Sequence, residues 1–344
     1  GFNPISDQGK VMGLSSYGDS SRYIDEFRKI VRLKDDGTYK MDLDYFEFQN
    51  RRDTWISDKF INTFGQRRLP DEEIEKRHKD IAAALQRRLN EIYCHMGKYI
   101  KEETHMKYLC LGGGVALNSV SNGKLLQKEY FEDIFIPPPT GDDGLSAGAP
   151  LYYNYCVLGN TKRYPFVSPF LGPEYSDDKI LKTIKRFNLN FYKSNNIFKE
   201  TAELLSKNKI IGWFQGRMEI GPRALGNRSI LANPGFHNVK ELLNSRVKFR
   251  EPFRPFAPSI LAEDVKDWFE YDHPAPFMLF VFNIKRGKRK LIPGVTHVDG
   301  TGRLQAVNRQ FNERYYKLIN EFKKITGIPM VINTSFNIMG NPII

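Results

Sequence analysis

The sequence predicts an α/β fold of two domains, and three observations lead to this expectation. Two short apolar runs each pass through a Gly-rich loop into a helical stretch, within 107–128 and within 133–155. A second alternating series of helical and strand patterns occupies 177–333. The stretch between the two series is rich in Pro, Gly and Tyr and lacks periodicity. We therefore expect one domain over 1–165 and a second over 166–344.

Composition indicates a globular protein. The 344 residues are 40% hydrophobic and 13% aromatic, which is enough to give each domain a core. No run of 18 or more apolar residues exists to span a bilayer, so a membrane protein is not expected. Three scattered cysteines are too few for a disulfide framework and include no zinc-type pair. These features favour a cytoplasmic location.

The net charge of +12 favours an anionic partner. Nucleic acid, a membrane surface and a phosphorylated small molecule all meet that description, so the positions of the cations have to discriminate among them. The chain begins at Gly1 without a methionine and stops at Ile344 soon after a predicted strand. Both ends therefore suggest a piece of a longer protein.

The first domain is predicted to contain one long helix and two strand, loop and helix units. Acidic residues followed by an apolar stripe predict an amphipathic helix over 71–103. The residues expected on its apolar face are Ile81, Leu85, Ile92, Met96 and Tyr99. The first unit is strand 107–111 with helix 115–128, and the second is strand 133–136, loop 137–144 and helix 145–155.

The second domain is predicted to alternate helices with strands. The expected helices are 177–187, 197–207, 238–247 and 310–325, and the expected strands are 209–214, 277–284 and 329–333. Since strands feed helices through Gly-rich turns, ligands are expected at the carboxyl ends of strands.

Two loops of the first domain could hold ligands. Gly112, Gly113 and Gly114 lie between a strand and a helix, where backbone N–H groups can cradle phosphate, although a simple tight turn explains them equally well. Asp142 and Asp143 follow the next strand and could coordinate a cation. A helix cap is the more common role for such an aspartate.

The most informative stretch is 210–234, in which a strand leads into a loop rich in Gly, Pro and Arg. The loop carries Arg217, Arg223 and Arg228 between three glycines and a proline. Such a rigid backbone can hold arginines at fixed positions, where a guanidinium can fork onto phosphate oxygens. A phosphate-binding loop is the functional interpretation.

Three further polar segments lie in the second domain. Cations alternate with prolines and aromatics over 244–258, a histidine, a carboxylate and an arginine occur in a predicted loop over 297–305, and hydroxyls and amides follow a strand over 333–337. Solvated surface with incidental ion pairs explains most Lys and Arg residues. Four such segments in one domain make that explanation less attractive, and a pocket is expected.

These motifs closely resemble the carbamoyltransferase family of nodulation-protein, cephamycin and tobramycin O-carbamoyltransferases, along nearly the whole chain. The matching segments are GKVMGLSSYG, LGGGVALN, PPTGDDGLSAGA, GRMEIGPRALGNRSILANP, KFREPFRPFAPS, HVDGTGRLQ and NTSFN. The resemblance implies the C-terminal half of an actin-like, Kae1-type ATPase domain followed by a YrdC-like α/β domain. The chain would thus be N-terminally truncated.

The resemblance also implies a reaction. The YrdC-like domain would join carbamoyl phosphate and ATP into carbamoyl adenylate with release of pyrophosphate, and Mg²⁺ would assist. The Kae1-like domain would pass the carbamoyl group to the hydroxyl of a sugar or small molecule beside an iron ion, Fe²⁺. The family's His-x-x-x-His iron ligands have no counterpart among the six histidines here, which leaves that site incomplete.

Site roles follow from the same resemblance. Residues expected to hold phosphates or act in the reaction are Arg217, Arg223, Arg228, Lys248, Arg250, His297 and Arg303, with His297 as the proton carrier. Residues expected to bind the nucleotide are Gly112, Gly113, Gly114, Asn118, Ser335 and Asn337, and Asp142 is the expected metal ligand.

Two other functions fit parts of the sequence. An RNA-directed enzyme, for example one that modifies tRNA, would explain the basic charge, but the arginines that stand out lie in Gly/Pro loops and not among exposed aromatics. A silent nucleotide-binding module is the third interpretation. Nucleic acid and membrane are therefore not expected as partners, and a homodimer is compatible with the resemblance.

Overall fold

The computed structural model describes residues 1–3, 6–52, 54–166, 168–338 and 341. Its α-helices are α1 Gln8–Leu14, α2 Ile24–Ile30, α3 Asp58–Phe64, α4 Lys76–Thr104, α5 Ser119–Leu126, α6 Leu145–Tyr152, α7 Asp177–Arg186, α8 Ile197–Ser206, α9 Val239–Leu243, α10 Val265–Trp268 and α11 Glu313–Thr326. Its strands are β1 Val31–Leu33, β2 Tyr39–Met41, β3 Tyr108–Cys110, β4 Asp133–Phe135, β5 Ile211–Phe214, β6 Arg228–Ala232, β7 Ala257–Leu261, β8 Phe280–Asn283, β9 Thr301–Val307 and β10 Met330–Ser335.

The described chain forms two compact units, each with both helices and strands. One comprises 1–110 and 118–135, and the other comprises 111–117 and 136–344. The mixed α/β character expected from the sequence is confirmed. The predicted domain boundary at 165 and 166 stays a prediction.

Helix α4 organises the first unit. An aromatic core that includes Phe27 and Phe64 packs against Ala84 of this helix. The predicted long helix is confirmed, but it begins at Lys76 and not at 71, because Glu75 and His78 form a reciprocal capping box at that point.

The predicted apolar face of α4 was partly wrong. Leu85 and Met96 are exposed, whereas Ala82–Ala84 and Gly97 are buried. Small residues let the helix approach its neighbours closely, and a Cβ at Gly97 would lie 2.5 Å from Leu125. The sequence pattern misled because it weighted large apolar side chains over small ones.

The predicted strand, loop and helix units are present in shortened form. Strands β3 and β4 pair in parallel, with Leu109 opposite Ile134. The first expected helix begins as α5 only at Ser119, since the side chain of Asn118 caps it by accepting from the Ser121 N–H. The second continues from α6 into a π-helical turn at Tyr153–Val157.

The second unit contains a six-stranded sheet in the order β5-β6-β10-β7-β9-β8. Only β7 and β9 run parallel, and the other neighbouring strands are antiparallel. The sequence patterns missed β6, β7 and β9. Strands β6 and β9 begin within segments that had been interpreted as polar loops, at Arg228 and Thr301.

One face of this sheet has an apolar half and a polar half. Leu231, Val331, Leu261 and Val307 belong to one apolar cluster with residues of helices α8 and α11. Ser229, Asn333, Ser259 and Gln305 each lie two residues from one of these along the same strand, and so share their face of the sheet. The apolar half supplies the core, and the polar half lies beneath the arginine-bearing loop.

Candidate functional site

Buried amides on the polar half of the sheet hold the arginine-bearing loop in place. Asn333 Nδ2 lies 3.1 Å from the carbonyl oxygen of Ala224 and 3.0 Å from Gln305 Oε1, and Gln305 Nε2 donates to the Leu225 carbonyl oxygen at 2.9 Å. Because these donors are buried, loss of their partners would cost free energy. The backbone at 224–225 is thereby fixed against the sheet.

Glu219 fixes the loop from within. Its carboxylate accepts from the backbone N–H of Leu225 at 2.7 Å and from the Arg228 Nε at 3.0 Å. The Glu219 side chain is fully buried and that of Arg228 nearly so. Arg228, one of the predicted phosphate ligands, is therefore already paired with a carboxylate.

Gly226 lets helix α11 press directly against the loop. Its φ of +109° lies in the left-handed region, and a Cβ there would lie 2.3 Å from the ring of Tyr315. No larger residue fits without displacing the loop or the helix.

Arg223 and Arg303 lie near Arg250 and Arg254 and form a cluster of cations with them. Burial and the charge of Arg254 lower the pKa of Arg223 to about 10. Burial lowers the pKa of Arg303 well below its ordinary value, and the charges that add to this effect are all cations, namely Arg223, Arg250 and Arg254. Nearby like charges are unfavourable unless an anion joins them.

The Nε atoms of Arg223 and Arg303 are buried and bond to no described residue. Both residues keep some accessible surface overall. Buried donors without partners are rare in folded proteins and indicate a missing partner. We call Arg223, Arg250, Arg254 and Arg303 the arginine cluster.

Arg250 is the best anchored member of the arginine cluster. Its Nε donates to Asn244 Oδ1 at 2.8 Å, and its guanidinium lies 4.6 Å from the ring centre of Phe256. Burial, together with the charge of Arg254, lowers its pKa to about 9. The side chain is thus held in one orientation, and the carboxylate of Glu251 only partly offsets the effects of burial and of Arg254.

His297 lies at the start of the segment that leads into β9. Its Nδ1 is 3.1 Å from Thr301 Oγ1, and its Nε2 is buried without a partner among the described residues. Burial lowers its pKa to about 4, and the carboxylate of Asp299 only partly offsets this. The imidazole is therefore neutral at pH 7, and the role of His297 as a proton carrier stays a prediction.

Lys248 braces the end of β10. Its ammonium lies within 2.8 Å of the backbone oxygens of Ser335 and Asn337 and 2.7 Å from Asn337 Oδ1. Burial, followed by the charges of Arg250 and Arg254, lowers its pKa to about 8. Lys248, Ser335 and Asn337 therefore form one hydrogen-bond network, as expected if they belong to the same site. The Lys248 ammonium already has acceptors within the protein.

Arg217 differs from the members of the arginine cluster in its hydrogen bonds. It is exposed, and its guanidinium donates to the backbone oxygens of Gly172 at 3.0 Å and Leu171 at 2.9 Å. It ties down the segment before α7. A phosphate-binding role for Arg217 stays a prediction.

The glycine loop is open to solvent. Gly113 has a φ of +91°, and its N–H donates to the Thr140 carbonyl oxygen at 2.7 Å. A Cβ at Gly112, Gly113 or Gly114 would meet nothing within 4 Å, which leaves room for a ligand. Asn118 caps α5 as described above, so the side chain predicted to bind nucleotide already has partners.

Asp142 is exposed at the start of a 3-10 turn, Asp142–Gly144. Within the described ranges, no group of three or more His, Cys, Asp or Glu side chains is arranged to hold a metal ion. A single carboxylate does not fit an iron site on its own. The metal role of Asp142 stays a prediction, and no step of the chemistry is derived from it.

Sequence reasoning missed two residues that shape the site. Arg254 acts on the pKa of four other cations, and Glu219 is the carboxylate that neutralises Arg228. The spacing Arg250-x-x-x-Arg254, with Pro252 and Pro255 on either side of Arg254, is the signal that could have identified Arg254. Nothing in the local sequence distinguished buried Glu219 from an exposed one.

Comparison with known families decides the identity of the chain. The model of the carbamoyltransferase N-terminus matches residues 1–151, and that of the carbamoyltransferase C-terminus matches residues 202–344. The chain belongs to the carbamoyltransferase family. The resemblance inferred from the motifs is thereby confirmed, and the arginine cluster lies in the part that matches the C-terminal model.

Three relatives of this carbamoyltransferase-family chain illustrate the match. Nodulation protein NolO of Bradyrhizobium diazoefficiens is 40% identical over 98% of the chain and 61% of its own length. Nodulation protein NolNO of Sinorhizobium fredii is 39% identical over 98% of the chain and 49% of its own length. An uncharacterized protein of Synechocystis is 37% identical over 100% of the chain and 60% of its own length.

The chain spans about half to two thirds of the length of these curated relatives. No helix of the described chain is both long and apolar enough to cross a membrane. The RNA-directed alternative is not favoured, because the family models and the named relatives all indicate carbamoyl transfer or nodulation.

Proposed function

We propose that the second unit binds carbamoyl phosphate and ATP at the arginine cluster and forms carbamoyl adenylate there. The observation that carries this proposal is the pair of buried, unpartnered Nε atoms on Arg223 and Arg303 among mutually repelling cations. Two polyanions are the ligands that such a cluster would stabilise most. Carbamoyl phosphate is the donor implied by membership of the carbamoyltransferase family.

The chemistry balances with one water. Carbamoyl phosphate, ATP and water give carbamoyl adenylate, pyrophosphate and phosphate. Negative charge collects on the departing phosphates, and fixed guanidinium groups would stabilise it without reorganisation. Arg223, Arg250 and Arg303 are the residues proposed for this task, and Arg254 joins them. Lys248 would act by holding Ser335 and Asn337 for the nucleotide.

Transfer to an acceptor hydroxyl is proposed for the whole protein and not for this unit alone. On this proposal the first part of the chain belongs to a Kae1-like domain and the second to a YrdC-like domain. The acceptor proposed is the hydroxyl of a sugar or of another small molecule. Transfer would occur in the reducing environment of the cytoplasm.

The proposed cofactors differ in how the chain could bind them. ATP would bring Mg²⁺ on its own phosphates, so that a protein cage for the metal is not required. Fe²⁺ would need ligands beyond Asp142, and the described residues supply no such group. The adenylation step proposed for this chain does not depend on iron.

Carbamoyl-phosphate-dependent exchange of labelled pyrophosphate into ATP tests the proposal. Wild-type chain should catalyse the exchange, and Arg223→Ala should lower its rate by about 100-fold or more, because a fixed transition-state donor is lost. Arg309→Ala is the matched control, since Arg309 is exposed and only pairs with Glu313 on the surface of α11.

Two outcomes would contradict the proposal. Equal exchange by wild type and Arg223→Ala would remove the arginine cluster from the reaction. ATP binding without any exchange in a folded sample would favour the silent nucleotide-binding module. Addition of the remaining part of a full-length relative would then show whether adenylation needs that part.

A further inference from the structure

A tight turn positions His297 beside β9. The His297 N–H donates to the Thr301 carbonyl oxygen at 2.8 Å, and the Gly300 N–H donates to the His297 carbonyl oxygen at 2.9 Å. Gly300 has a φ of +81°, a conformation that favours glycine. The ring is therefore carried by a turn whose backbone is closed by its own hydrogen bonds.

The hydrogen bonds around Thr301 assign the tautomer of His297. Thr301 Oγ1 lies 2.7 Å from Asp299 Oδ1, so its one hydrogen is donated to that carboxylate. The same oxygen lies 3.1 Å from His297 Nδ1 and must accept there. Nδ1 therefore carries the proton, and Nε2 presents a lone pair.

Nε2 of His297 is a buried acceptor beside buried donors. Thr301 and Arg303 are two residues apart on β9 and so lie on the same face of the strand. Arg303 is one of the charges that act on His297, which places the two side chains near each other. Neither Nε2 of His297 nor Nε of Arg303 has a partner in the described parts of the chain.

This pairing specifies the ligand. The guanidinium groups need an anion, while Nε2 needs an N–H or O–H donor on the same ligand. Carbamoyl phosphate carries both, because its phosphate is attached through a carbonyl carbon to an NH₂ group. Acetyl phosphate has a methyl group of similar size in place of NH₂ and leaves the acceptor unsatisfied.

We infer that His297 Nε2 accepts a hydrogen bond from the carbamoyl NH₂ group and selects carbamoyl phosphate over acyl phosphates. The inference rests on the proposed function and assigns to His297 the choice of donor. Thr301 and Asp299 are positioning residues, since they hold the proton on Nδ1. No proton transfer is assigned to the histidine.

Binding of two stable analogues tests this selection. Phosphonoacetamide keeps the NH₂ group and acetonylphosphonate replaces it with a methyl group, and each has CH₂ in place of the labile bridging oxygen. In calorimetric titrations of the full chain, wild type should bind phosphonoacetamide about tenfold or more tightly than acetonylphosphonate. Inorganic phosphate serves as the reference anion.

Two variants separate selection from folding. His297→Asn places an amide where Nδ1 was but removes Nε2. The variant should therefore bind phosphonoacetamide and acetonylphosphonate about equally tightly and should still bind phosphate. Thr301→Val removes the hydroxyl that fixes the tautomer, so the preference should fall in part. If His297 only supported the fold, its replacement would weaken the binding of all three ligands equally.

The outcomes distinguish the inference from the function on which it rests. Equal binding of the two analogues by wild type, with binding abolished in Arg223→Ala, would overturn the role of His297 and leave the phosphate site intact. Failure of wild type to bind any of the three anions would overturn both. Retained preference in His297→Asn would also overturn the inference.

Discussion

Arg223 and Arg228 lie five residues apart on one loop, yet their surroundings are opposite. Arg228 is paired with buried Glu219, and that pair also holds the backbone of the loop. Arg223 lies near Arg254 and Arg303, and its buried Nε has no partner among the residues that the structure describes. The contrast shows that a cation in a Gly-rich loop is a candidate ligand-binding group when no carboxylate of the protein pairs with it.

Removal of the Glu219 carboxylate, which pairs with Arg228, should have the largest effect on stability. Glu219→Ala removes the carboxylate that pairs with the nearly buried Arg228, which we expect to lower the free energy of unfolding by about 3–5 kcal/mol. Urea denaturation measures this change. Glu313→Ala is the control, since Glu313 pairs on the surface and its loss should cost about 0–1 kcal/mol. Equal effects would remove the distinction between the two environments.

Addition of an anion should stabilise the folded chain by binding beside Arg223. Pyrophosphate at about 100 times its dissociation constant should raise the free energy of unfolding by about 2.7 kcal/mol, because it binds only the folded arginine cluster. Thermal denaturation with and without pyrophosphate measures the shift. Arg223→Ala should lose most of it, and Arg309→Ala should keep it. A shift that survives Arg223→Ala would place the anion elsewhere.

His297 should make the fold sensitive to acid. Its folded pKa of about 4 lies below the ordinary 6.5, so the unfolded chain binds more protons between these values. The stability contribution is fully present above about pH 6.5 and is lost as the pH falls toward 4, by about 3 kcal/mol. His297→Asn should flatten this part of the stability curve, and His105→Asn, at an exposed position, should not.

Replacement of an unpaired cation should have the smallest effect and the opposite sign. Arg303→Met removes a buried charge that other arginines repel, so the variant should gain about 1 kcal/mol of stability in anion-free buffer. It should also lose the response to pyrophosphate. Calorimetric unfolding in both buffers measures the two changes. A loss of stability without anion would mean that Arg303 has a stabilising partner.

Sequence patterns predicted the helices better than they predicted the strands of the six-stranded sheet. Helices with strong periodicity, such as α7 and α8, appeared within a residue of expectation because their apolar spacing and caps are local. Strands β6 and β9 were missed because their inward residues include Ser229, Arg303 and Gln305. Ser229 and Gln305 are polar for a reason outside the strand, namely the loop that they support.

The site was predictable in composition and less so in geometry. Motifs identified the arginine-bearing loop and the segment around Arg250, and three predicted cations, Arg223, Arg250 and Arg303, lie together. No local pattern could show that Arg228 and Lys248 already have partners, since those partners are Glu219 and residues 335 and 337. Which charges are satisfied is a property of tertiary contacts.

The position of β10 has a consequence for the order of folding. This strand comes last among the described strands, yet it lies between β6 and β7 and pairs with both. Until it is synthesised, β6 and β7 have no common neighbour, and the amide of Asn333 cannot fix the loop at Ala224. The loop that carries Arg223 can therefore be fixed against the sheet that carries Arg303 only after translation has passed residue 335.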